Sequence, residues 1–100
     1  MIPSFEDEAR EEYRVAIEYS ELQFGPGEKF ISLMESALAE IAANPTRFQV
    51  FRKKYYIFRM PRRPYYLVYV FNWDSIHIFA VAHTSRRPKY WLGRLPRELR

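Results

Sequence analysis

One hundred residues, 48% hydrophobic and 18% aromatic, are enough for one domain spanning residues 1–100 around a single core, and too few for two. The absence of cysteine rules out a disulfide framework and a thiolate zinc site, and it fits a reducing cytoplasm. No stretch approaches the ~18 consecutive apolar residues of a membrane span. The acidic start, Met1 to Glu8, lacks the basic and apolar regions of a signal peptide, so a soluble cytoplasmic protein with no membrane partner is expected. The net charge of +4 conceals two poles. Residues 1–50 carry ten acids against four Lys or Arg (−6), and residues 51–100 carry two acids against twelve Lys or Arg (+10). The second half therefore predicts a positive surface for phosphates or an acidic partner.

The first half has a helical period. Phe5, Ala9, Ala16, Ile17 and Phe24 recur at near-helical spacing and predict a helix over 5–23, with Tyr13 and Tyr19 flanking the stripe. Ser4 precedes three consecutive acids, which predicts an N-cap followed by charges suited to the positive end of a helix. Gly25-Pro26-Gly27 stops that helix. Phe30, Ile31, Met34, Ala37, Leu38 and Ile41 form the stripe of a second helix over 27–43, which Asn44-Pro45 ends because a residue before proline is pushed out of helical conformation.

The second half alternates instead. Residues 55–60, 65–72 and 75–83 read as strands, and 48–51 as a short edge strand. Pro61-Arg62-Arg63-Pro64 makes a turn outside the ladder, and Asn72-Trp73-Asp74-Ser75 one of hairpin length. Neither face of 65–72 is polar, so both must be covered or used, and the helix stripes can cover one. The expected fold is α+β: an N-terminal two-helix hairpin packed on a small antiparallel sheet of three to four strands.

The chemistry concentrates after the last strand, where an apolar run ending at His83 gives way to Arg86, Arg87, Lys89, Tyr90 and Trp91. Arginine offers a planar donor fork that matches phosphate oxygens, and Arg59, Arg86 and Arg87 are the candidates. His83 can shuttle a proton near neutral pH, and Tyr66 or Tyr90 can stack on a base or donate to a phosphate oxygen. Strict alternation places His77, Phe79, Val81 and His83 on one face and Ile76, Ile78, Ala80 and Ala82 on the other, with the helices expected on the Ile/Ala face. Arg62 and Arg63 are either solvated or face carboxylates of a partner, and Trp91 reads as an anchor packing the tail onto the sheet. Two histidines six apart without nearby acids make no metal site, and Gly25-Pro26-Gly27 lacks the lysine of a phosphate loop, so no cofactor is expected.

Taken together, several segments resemble the RelE/ParE superfamily of bacterial toxins. They are Glu8 to Tyr13, Gly27 with Phe30, Ile41-Ala42-Ala43-Asn44-Pro45, Arg59, Pro64 to Tyr69, and Ile78 to His83 followed by Arg86, Pro88 and Trp91. The resemblance implies a plasmid-stabilisation type toxin of a type II toxin–antitoxin system, held in a hetero-oligomer by a cognate antitoxin. ParE-like members inhibit DNA gyrase, whereas RelE-like members are metal-independent endoribonucleases that cut messenger RNA on the ribosome. RelE-like cleavage would rest here on Arg59, His83, Arg86 and Tyr90, with Arg62, Arg63, Tyr66, Arg87 and Lys89 binding the target. Ile57 and Tyr66 stand where that subfamily carries cations. The resemblance therefore favours a ParE-like activity, with RelE-like cleavage as the alternative and antitoxin binding without toxicity as the third reading.

Overall fold

The computed structural model describes residues 2–100, apart from the side chain of Phe24, so the expected place of Phe24 in the first stripe lies outside the described residues. Helix α1 spans Asp7–Phe24 and α2 spans Gly27–Ala43. The buried positions follow the helical period: Ala9, Ala16 and Ser20 on α1, and Phe30, Met34, Ala37 and Ile41 on α2. The hairpin closes tightly because Gly27 has no side chain; a Cβ there would come within 2.9 Å of Ile17 and Glu21. Gly25 permits the bend between the helices at φ 109°.

The sheet has five strands: β1 Ser4–Phe5, β2 Gln49–Arg52, β3 Tyr55–Arg59, β4 Tyr65–Asn72 and β5 Ser75–His83. Their order is β1-β5-β4-β3-β2. All neighbours are antiparallel except β1, which runs parallel to β5, so the sheet is mixed and one strand larger than expected. The extra strand also removes Ser4 from its expected capping role. The Ser4 hydroxyl lies 2.7 Å from Nδ1 of His77 and 3.4 Å from the Ile76 carbonyl, and Glu6 occupies the cap position without a side-chain hydrogen bond. Phe5 stacks on Tyr13 with ring centres 5.9 Å apart, which holds β1 against the start of α1.

The helices cover one face of the sheet, where Tyr56, Phe58, Leu67, Tyr69, Ile76, Ile78 and Val81 form the main core. The other face carries Tyr55, Val68, Phe79, Ala80 and Ala82. It is covered by a C-terminal strap of two short 3-10 turns, Tyr90–Arg94 and Arg97–Leu99, whose Trp91, Leu95 and Leu99 are buried. Trp91 donates from Nε1 to the Tyr66 hydroxyl at 3.0 Å, the anchoring role read from the sequence. Each large apolar side chain so buried stabilises the strap by about 1.5–3 kcal/mol.

Strict alternation fails on β5. Val68 pairs with Ala80 but Tyr69 pairs with Ile78, so Phe79 is an extra residue in a β-bulge. Phe79 and Ala80 consequently share the strap side, and the phase shifts by one. Val81 and His83 then lie on the helix side, while His77 stays with Phe79 on the strap side, ring centres 5.0 Å apart. The expected four-residue face of His77, Phe79, Val81 and His83 is thus divided between the two sides, and the helices cover Ile76 and Ile78 but not Ala80 and Ala82.

Both hairpins that point away from the β3–β4 turn, β2–β3 and β4–β5, use two-residue connections whose first residue has positive φ: Lys53 at 50° and Trp73 at 61°. That conformation costs a residue with a Cβ roughly 1–2 kcal/mol and is usually given to Gly, Asn or Asp.

Candidate target-binding cleft

Strands β2, β3 and β4 and the segment after β5 enclose a cleft of about 540 Å³. Arg52, Arg59, Arg86 and Lys89 line it together with Tyr66, and among the described residues no carboxylate does. Strand register explains the pairing of Arg59 with Tyr66: they are direct cross-strand partners on β3 and β4, and the guanidinium lies 5.7 Å from the ring centre. Lys89 sits 5.6 Å and Arg52 4.7 Å from the centre of the Phe51 ring. Cations held over aromatic faces lose little conformational freedom when an anion arrives.

A second group of cations is fully paired. Glu12 on α1 points toward the strap with its side chain only 13% exposed. Arg94 donates to both carboxylate oxygens, at 2.9 and 3.0 Å, and to the Phe79 carbonyl at 3.0 Å. The Val81 backbone N–H and the Tyr90 hydroxyl donate to the same carboxylate. Arg86 reaches it at 3.3 Å with its guanidinium stacked 3.6 Å from the Tyr90 ring centre. Burial, followed by the hydrogen bond to Glu12, pushes the Tyr90 phenol well above its ordinary range. Arg86 therefore belongs to both places: it lines the cleft and is held from behind by Glu12.

This geometry sorts the residues singled out in the sequence. Arg59, Tyr66, Arg86 and Lys89 come together in the cleft. Tyr90 turns its hydroxyl away from it, to Glu12. His83 lies on the helix side, edge-on to Tyr19 and Tyr65 at 5.7 and 4.9 Å. Its Nδ1 accepts the Ser85 backbone N–H at 3.0 Å, so the proton of the neutral ring belongs on Nε2. Arg62 and Arg63 border a separate depression beside α2, with Glu28 and Lys29. Arg87 is exposed and lines neither. Among the described residues no group of three His, Asp or Glu side chains is placed to hold a metal ion. Among the described residues no helix is long and apolar enough to cross a membrane.

Sequence reading overlooked Arg52, Arg94 and Glu12. Glu12 did carry a signal, since it falls in the phase of Ala9 and Ala16 on the buried stripe, where a carboxylate demands a partner. Nothing in the tail marks Arg94 as that partner.

The family model described as the ParE toxin of the type II toxin–antitoxin system parDE matches residues 4–88. The chain belongs to the ParE toxin family. Its fold is similar to that of a chain in the solved chromosomal ParDE TA system from P. aeruginosa, with a TM-score of 0.69 at 12% identity, covering 85% of this chain and 97% of that one. No curated protein matches it. The ParE match ends at Pro88, so the strap, with the Tyr90 and Arg94 that bind Glu12, lies beyond the region the family model recognises.

Proposed function

We infer that this ParE-family chain is the growth-inhibiting component of its pair. It acts by binding a ParE-like target, DNA gyrase or a related enzyme, and a cognate antitoxin with an acidic segment neutralises it by covering the cationic cleft. The observation that carries this reading is that the cleft lined by Arg52, Arg59 and Lys89 contains neither His83 nor Tyr90. Cleaving RNA through its 2′-hydroxyl needs a base, an acid and cations around one phosphate. The cleft gathers cations, but the imidazole of His83 lies on the helix side and the hydroxyl of Tyr90 is committed to Glu12. What remains is suited to binding an anionic surface.

RelE-like cleavage stays the second reading because Arg59 and Arg86 do share the cleft. The two part in cells within minutes of inducing the chain without an antitoxin. Loss of DNA synthesis with translation intact, and inhibition of supercoiling by the purified chain, are expected. Early ribosome-dependent messenger cuts that disappear with Arg59→Ala would overturn the proposal in favour of cleavage. No effect on either process would leave antitoxin binding without toxicity.

A further inference from the structure

One end of the sheet is built at a cost that the fold does not explain. Trp73 occupies the first position of the β4–β5 connection, is 89% exposed, and takes φ 61°. A glycine or asparagine would serve the turn better, and a buried position would use the indole better. The tip is nonetheless tied down by hydrogen bonds. The ladder continues to the Asn72–Ser75 pair, and the Ser75 hydroxyl donates to the Asn72 carbonyl at 2.9 Å. Beside it lies the β2–β3 connection, tied on by the Phe71 N–H donating to the Lys54 carbonyl at 3.1 Å. That neighbour presents Lys53 and Lys54, both exposed and, among the described residues, without an ion-pair partner.

We propose that this hairpin end is an anchor for a protein partner, with the Trp73 indole entering an apolar slot rimmed by carboxylates that face Lys53 and Lys54. Indole rings on rigid supports concentrate binding energy at protein interfaces, and two adjacent unpaired lysines supply the charge to match an acidic rim. A phosphate backbone is held by a line of several cations, and this tip offers two, Lys53 and Lys54. One indole with no apolar helix face beneath it is too small a patch to hold a membrane surface. The inference rests on the reading of the chain as a toxin that acts by binding, and it adds the place where the target is gripped. Tyr65 of β4 pairs with the end of β5 at His83, and Asn72 with its start, so the tip stands at the far end of β4 from the Arg59–Tyr66 pair of the cleft.

The test compares wild type with Trp73→Ala, Trp73→Gly and Lys53→Glu/Lys54→Glu. Glycine suits the backbone at position 73, so Trp73→Gly should melt no lower than wild type. The expected result is at least about a tenfold rise in the induction level needed to arrest growth for both Trp73 variants, and a smaller rise for the charge reversal. Growth arrest at wild-type levels by Trp73→Ala would overturn the proposal, as would a loss of potency that tracks a loss of melting temperature. The purified chain has only two tryptophans, and Trp91 is buried, so acrylamide quenching reports on Trp73. Added DNA gyrase should shield it. Shielding by anionic vesicles or single-stranded DNA instead would overturn a protein anchor. Gyrase inhibited equally by wild type and Trp73→Ala would sink the anchor and spare the gyrase reading. Gyrase untouched by wild type, with growth arrest that Trp73→Ala still relieves, would do the reverse.

Discussion

The two groups of cations in the second half differ in purpose more than in chemistry. Arg86 and Arg94 converge with Tyr90 on one shielded carboxylate and bind the strap to α1 across more than seventy residues of sequence. Arg59 and Lys89 lie in the open cleft, each over an aromatic ring and, among the described residues, neither with a carboxylate in ion-pair reach. The positive charge of this half is therefore not all available to a partner. Part of it holds the molecule together, and the strand register and Glu12 decide which part.

The comparison breaks first at Glu12. Replacing it with alanine strands Arg94 and Tyr90 in a largely buried place, where losing one partner of an ion pair costs toward about 3 kcal/mol. Urea denaturation should show that loss, with Glu12→Gln intermediate because the amide still accepts hydrogen bonds. An unchanged midpoint for Glu12→Ala would mean the cluster does not hold the strap.

Next comes Tyr90. Its folded phenol titrates above the ordinary value of 10.0, raised first by burial and then by the bond to Glu12. Its contribution is thus complete below about pH 10 and fades as the pH rises further, because the unfolded chain then releases a proton that the folded one keeps. Tyr90→Phe should cost about 1 kcal/mol at neutral pH and flatten that alkaline decline, followed by denaturation at stepped pH.

Cleft cations should behave in the opposite way. Arg59→Ala is expected to change stability by less than about 0.5 kcal/mol while weakening binding of an acidic partner and reducing its salt dependence, measured by calorimetry at two ionic strengths. Smallest of all is the exposed Glu11–Arg14 pair on α1. The hydrogen bond from Arg14 lowers the Glu11 pKa, so its slight contribution is present above about pH 4.5 and lost as the pH falls below it. Arg14→Ala should make acid unfolding only marginally earlier.

The helix pair and the four main strands were legible because their burial follows periods of 3.6 and 2, which local sequence records. The missing pieces are non-local. β1 is two residues long and owes its existence to a parallel edge on β5, more than seventy positions away. The strap has no period, being two short 3-10 turns separated at Leu95-Pro96, and only the lone Trp91 announced that something there is buried. The cleft was legible through Arg59, Tyr66, Arg86 and Lys89. The side that His83 faces is hidden in the sequence because a bulge leaves no mark in an alternating apolar run, and the turn of Tyr90 away from the cleft depends on Glu12, seventy-eight positions away.

The bulge at Phe79 also fixes what this strand tolerates in length. Because the bulge absorbs Phe79, nine residues of β5 keep the step of eight, so a version of the strand lacking that one residue would leave Ile78, Val81 and His83 facing the helices as they do now. Removing Ala82 would instead turn the histidine to the strap side. A gap at position 79 thus keeps the phase of the strand at the loss of a phenyl ring packed under the strap, while a gap three residues later turns the end of the strand over. Register across β5 is therefore to be matched by counting from the bulge, not from the ends of the strand.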